Sequence, residues 1–173
     1  MDIQDINSEQ MLRDWLAMNI VAWNALHVDK VGHEWIEPTF GSSMGISDAK
    51  VSYRAVTWGV ELKHWYERRE GVNYKIRPVQ RRYNVMGVKS GRKLLIMATV
   101  VKAGYVDLVL IRGDKAPLRD YCNIKGSGCE DGIEQTIVPQ SCPLEYGYVT
   151  TPPSQWTPFG WILKTLSNQS WWN

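Results

Sequence analysis

Cysteine is scarce in this chain and odd in number: Cys122, Cys129 and Cys142 are its three. An odd set without a secretory signal argues against a disulfide framework and for an intracellular setting. Zinc is the sharper alternative for these residues, yet they lack the short paired spacing that zinc sites favour, and no histidine follows Cys142. Long apolar runs are missing too. The longest, Leu94 to Val101, has eight residues and is fenced by Lys93 and Lys102. A membrane-spanning helix needs roughly 20 residues, so none is expected. Asp2 and Asp5 stand where a secretory signal would carry basic residues before an apolar stretch, and a cytoplasmic location is expected, in a host cell if the source is viral. Internal repeats and low-complexity tracts are absent.

What is present suits one globular domain: 173 residues, 44% hydrophobic and 22% charged, enough to bury a proper core. Asn7 or Ser8 caps a helix over about residues 8–26, with Leu12, Trp15, Leu16, Ile20, Trp23 and Leu26 at helical spacing. Residues 33–40 look extended. Two stretches rich in Val, Tyr, Thr and Trp, about 48–56 and 57–65, read as strands. A polar connection is expected from Gly71 to Arg77. A second helix starts at Pro78, buries Val79, Tyr83 and Met86, and ends near Ser90-Gly91. Leu94–Val101 and Val106–Ile111 read as further strands. The order α, β, β, β, α, β, β predicts an α/β fold with a mixed central sheet flanked by helices. Beyond Asp114 periodicity fades; most of the prolines and four of the nine tryptophans lie there. Two regions are therefore expected, a core over 1–113 and an irregular extension over 114–173 packed on it.

The net charge of +2 hides a strong asymmetry. Between Lys63 and Lys93 there are ten Lys or Arg and two acids, a local +8, which leaves −6 for the rest. A basic block in an otherwise acidic chain suits a polyanion partner, although a solvated basic helix face is the plainer reading.

Glu61-Leu62-Lys63 carries the chemistry. Residues two apart on a strand share a face, so Glu61 and Lys63 point together while Leu62 turns into the core. The carbonyl of Leu62 remains available as a ligand. Asp48 opens the preceding strand, and an antiparallel pairing can bring its carboxylate beside Glu61. Two carboxylates and an ammonium are the minimum for phosphodiester hydrolysis with a hard divalent cation, which takes oxygen ligands. A Glu-x-Lys triplet alone is a weak signal and better describes a surface ion pair on an edge strand.

Its surroundings sharpen it. Gly45-Ile46-Ser47-Asp48, Trp58-Gly59-Val60-Glu61-Leu62-Lys63, Ile76-Arg77-Pro78-Val79-Gln80-Arg81-Arg82-Tyr83 and Leu94–Val101 together resemble the PD-(D/E)XK nuclease superfamily. The likeness is strongest to phage and virus-type replication-repair nucleases (VRR-NUC) and to archaeal Holliday-junction resolvases, and it covers about residues 33–113. The resemblance implies a restriction-endonuclease-like fold and a metal-dependent DNA endonuclease of phage DNA metabolism, acting on branched DNA in the manner of a Holliday junction resolvase or on nicked or plain duplex. It implies that Asp48 and Glu61, with the Leu62 carbonyl, hold Mg²⁺ or Mn²⁺. Lys63 would orient water or stabilise the phosphate, and Gln80 would face the same site. The family often has an acid on its first helix. Glu9 is preferred over Asp14 because it lies nearer that helix's inward face, though a first-turn Glu also suits the helix dipole. Arg68, Arg69, Lys75, Arg77, Arg81 and Arg82 would grip phosphates without reading bases. Cutting two strands would call for a homodimer, since one site faces one scissile bond.

Other residues have plainer roles. His64 should face away from the site. His33-Glu34 could approach the metal or serve structure. Trp171-Trp172 could stack on bases, whereas Trp15 and Trp23 have core spacing. Two further readings stay open: a nuclease-fold module that binds DNA or protein without cleaving, and a phage structural or counter-defence factor whose Trp- and Pro-rich tail binds a host protein.

Overall fold

The computed structural model describes residues 1–27, 34–41, 47–68, 71–76, 78–113, 134–138, 149–150 and 157–168; for 68, 71–76, 78–79, 81–82, 85, 134–138 and 149–150 it describes the backbone alone. Ser8 begins the first helix, its side chain accepting from the Met11 N–H and satisfying one orphan donor. The helix, α1, runs over Glu9–Leu26 and buries Leu12, Trp15, Leu16 and Ile20 along one stripe. Asn24 ends that stripe by exchanging two hydrogen bonds of 2.8 Å with the backbone of Ile36. The chain then enters β1, Glu37–Phe40.

β1 pairs antiparallel with β2 (Ala49–Tyr53), and β2 pairs antiparallel with β3 (Val56–Arg68). The β2–β3 turn is made by Arg54 and Ala55, both at positive φ, which gives the reversal a two-residue hairpin needs. Residues 71–76, expected as a polar connection, instead form β4 (Gly71–Ile76). Val72, Tyr74 and Ile76 alternate with Asn73 and Lys75, a strand pattern too short to stand out. Its partners are the end of β3 and a distant strand, β7 (Glu134–Val138), and these pairings override the local polarity. The second helix, α2 (Pro78–Lys89), crosses over to β5 (Lys93–Lys102), which lies parallel to β3. β6 (Tyr105–Arg112) pairs antiparallel with β5, and β8 (Val149–Thr150) with β6. The sheet order is β1-β2-β3-β5-β6-β8, with β4 and β7 as a wing on β3. This is the mixed, helix-flanked α/β architecture that the element order suggested.

A final helix, α3 (Pro158–Leu166), lies where the sequence shows few periods. Thr157 caps it, accepting from the Gly160 N–H, and Pro158 opens its first turn. Phe159, Trp161, Ile162, Leu163 and Leu166 join α1 and the sheet residues Trp58, Val60, Leu62, Leu95 and Met97 in one core. Alternation along the strands follows: Val60 and Leu62 face α1 and α3, while Gly59, Glu61 and Lys63 face the other way. α2 covers that second face. An ideal Cβ on its Gly87 would stand 2.3 Å from Leu94 Cδ1, so the missing side chain is what lets helix and sheet approach. No helix of the described residues is long and apolar enough to cross a membrane.

Candidate active site

β3 has three partners, and the site lies where two of them leave off. On one edge it pairs with β2 up to Val60 and with β4 from Glu67; residues 61–66 between them have no ladder partner on that edge among the described residues. On its other edge β5 runs alongside through the same stretch. Asp48 fills part of the gap. Its carbonyl accepts from the Gly41 N–H, which fixes its backbone at the start of β2. Its Oδ2 accepts from the Leu62 N–H at 2.9 Å, doing for β3 what a ladder carbonyl would otherwise do. Ala49, the next residue, is buried in the core opposite Val60, so alternation turns Asp48 to the face that carries Glu61.

Glu61 is 3% exposed. Its Oε1 accepts from Gln80 Nε2 at 2.6 Å and lies 3.5 Å from Lys63 Nζ. Lys63 Nζ donates in turn to Gln80 Oε1 at 3.2 Å. Gln80, in the first turn of α2, therefore bridges the carboxylate and the ammonium with both ends of its amide. Asn84, one turn later and buried, donates to the Gln80 carbonyl at 2.9 Å and holds that turn in place. In the sequence Asn84 is marked only by its i, i+4 spacing from Gln80.

Burial, and then the negative charge of Asp48, push the Glu61 carboxyl up to about 7, against the opposing pull of Lys63. Two carboxylates sharing a site with one ammonium leave negative charge under-compensated at neutral pH. The donors here are hard oxygens: Asp48, Glu61 and a backbone carbonyl. Leu62 turns its N–H toward Asp48, and in an extended strand a residue's N–H and C=O share an edge. Its carbonyl therefore faces the same gap. Carboxylates plus a carbonyl fit Mg²⁺, Mn²⁺ or Ca²⁺ better than a soft metal. Among the described residues no group of three or more His, Cys, Asp or Glu side chains gathers, so the donor set is this smaller one.

Glu9 is exposed in the first turn of α1, the helix on the opposite sheet face, rather than turned inward. An acid in the first turn also gains from the helix dipole. The backbone places Arg68 at the end of β3, Lys75 in β4, and Arg81 and Arg82 directly after Gln80 in α2. Their side chains, and all of Arg69 and Arg77, lie outside the described residues, as do His33, Gly45, Ile46, Trp171, Trp172 and the three cysteines. Glu34 is a structural residue: it accepts from Tyr53 Oη at 2.8 Å and from the Arg54 guanidinium at the β2–β3 turn. His64 shares the face of Leu62, with Nδ1 2.7 Å from Thr99 Oγ1, and burial holds its pKa below the usual value.

No family model matches the chain, and no curated protein matches it in sequence. Among solved structures, Hjc, a Holliday junction resolvase from the archaeal hyperthermophile Archaeoglobus fulgidus, aligns with 71% of this chain and 85% of its own at 10% identity and a TM-score of 0.38.

Proposed function

We propose that the chain is a metal-dependent endonuclease that hydrolyses phosphodiester bonds of DNA. One observation carries the reading: Asp48, just before β2, Glu61 and Lys63 on β3, and Gln80 on α2 converge on the gap in the sheet beside β3. A purely structural ion pair needs neither a second carboxylate nor a raised pKa, and the pair is retained here at a cost in desolvation. That also weighs against a module that only binds, which has no use for a charge deficit at one ion-sized spot.

In this reading Asp48, Glu61 and the Leu62 carbonyl hold Mg²⁺ or Mn²⁺, which when bound supplies a more acidic water and charge neutralisation at the phosphate. Lys63 brings its ammonium to the same place, where it orients the attacking water or stabilises charge building on the phosphate. Gln80 keeps the Lys63 ammonium and the Glu61 carboxylate at a fixed separation. Arg68, Arg69, Lys75, Arg77, Arg81 and Arg82 supply phosphate contacts around it. Glu9 is assigned to the site only through the family resemblance. The PD-(D/E)XK likeness, in its phage and virus-type or resolvase branch, suggests branched DNA as substrate, with a homodimer for paired cuts; residues 1–113 would carry the nuclease site, and 114–173 would complete the same core through α3.

The test uses supercoiled plasmid and a four-way junction, each with Mg²⁺, Mn²⁺ or EDTA. Wild type is expected to cut with metal and not with EDTA, and Asp48→Ala and Lys63→Ala are expected to lose at least a hundredfold in rate. Binding without cutting under every metal would replace this reading with the non-cleaving module.

A further inference from the structure

A cleft of about 580 Å³ opens on the face of the sheet that carries Glu61, between the β2–β3 hairpin and the turn from α2 into β5. Lys50, Thr57, Tyr83, Arg92 and Lys93 line it around Gly59, and among the described residues no carboxylate lines it. The register fixes its place. Lys50 stands opposite Gly59, so the two share a face, and Gly59 precedes Glu61 by two residues on that face. Two residues of strand advance roughly 6–7 Å, about the step between successive phosphates of a nucleic-acid strand. α2 runs alongside in the same order: Gln80 meets Glu61 and Lys63, Tyr83 reaches the cleft one turn later, and Gly87 meets Leu94, which lines the cleft beside Gly59. Lys50 and Arg92 are both exposed. Gly91, at φ +90°, makes the turn that presents Arg92 and Lys93.

We infer that this cleft seats the DNA backbone next to the scissile phosphate. Lys50 and Arg92 supply the charge, with Lys93 at the edge, and Thr57 and Tyr83 offer hydroxyl donors. The identity of the polyanion rests on the nuclease reading; the cleft's cationic lining and its one-step offset from Glu61 do not. The basic block of the sequence ended at this turn, but Lys50 belongs to a different strand and only the β2–β3 pairing brings it in.

Binding of a fluorescein-labelled DNA duplex is measured by anisotropy in EDTA over a salt series, so that cleavage plays no part. Lys50→Ala/Arg92→Ala is expected to bind on the order of tenfold more weakly, with a log–log salt slope shallower by about two, one for each phosphate no longer neutralised. Lys164→Ala, on α3 across the sheet, removes one charge elsewhere and is expected to keep the wild-type slope. Circular dichroism confirms that each variant is folded, and glutamine at both positions serves if alanine is not tolerated. A double variant with wild-type affinity and slope overturns the cleft, and so does a Lys164→Ala loss that equals, per charge removed, the loss of the double variant. Wild type that fails to bind also overturns it. In each of these cases the plasmid assay reads separately whether the nuclease assignment stands.

Discussion

Glu61 pays twice for its position, in lost hydration and in repulsion from Asp48, and that makes its protonation a stability signal. Its folded-state pKa is raised from 4.5 to about 7. The protonated form therefore favours the fold: the contribution is complete below about pH 4.5 and is lost as pH rises through about 7, on the order of 3 kcal/mol. Glu61→Gln keeps an acceptor for Gln80 Nε2 and removes the charge. Metal-free Glu61→Gln is expected to be more stable than wild type at pH 8, by roughly 1–3 kcal/mol, and about equal at pH 5. Urea melts at the two pH values check this. Mg²⁺ should raise the wild-type midpoint at pH 8 and leave the variant's unchanged, because only a ligand that prefers the folded state stabilises it. An equal response to Mg²⁺ in both proteins would place the ion elsewhere.

At the scale of elements, two backbone positions govern how well the strands present the site. An ideal Cβ on Gly59 would lie 2.6 Å from Ser47 Oγ and 2.5 Å from Leu94 Cδ2. Ser47 is buried and adjoins Asp48, so Gly59→Ala is expected to destabilise by about 1–3 kcal/mol through overpacking. It should also weaken cleavage by moving Asp48. Adding Ser47→Gly should restore activity, read as the single-turnover rate; restoration of stability without activity would separate packing from the site. The β2–β3 turn offers the opposite case. Ala55 sits at φ +63°, where a Cβ is disfavoured by roughly 1–2 kcal/mol. Ala55→Gly is expected to gain about 1 kcal/mol net, less the flexibility glycine adds to the unfolded chain. Chemical denaturation would show it as a higher midpoint at constant m-value.

For the whole molecule, the last helix decides where a minimal protein can end. Phe159, Trp161, Ile162, Leu163 and Leu166 are each at most 7% exposed, in the core that also holds α1. Burying such a side chain contributes about 1.5–3 kcal/mol, and the five together rival the roughly 5–15 kcal/mol of a typical domain. A chain truncated after residue 156 is expected to lose cooperative unfolding in circular dichroism; a sharp two-state melt would show that the first part folds alone. The sequence determined by itself whatever depends on local spacing. The α1 stripe, the face shared by Glu61 and Lys63, and the inward turn of Leu62 follow from periods of 3.6 and 2, and the cap at Asn7 or Ser8 and the Pro78 start of α2 follow from the chemistry of helix ends. Local order could not supply contacts between segments far apart in the chain. Only tertiary pairing made a strand of residues 71–76, drew α3 into the core, left Glu9 facing solvent, and set Lys50 across from Gly59. Asp48 shows the division most clearly: its residue type was legible, but its role depends on β2 pairing with β3 only from Ala49 onward, which leaves the Leu62 N–H for a side chain to satisfy.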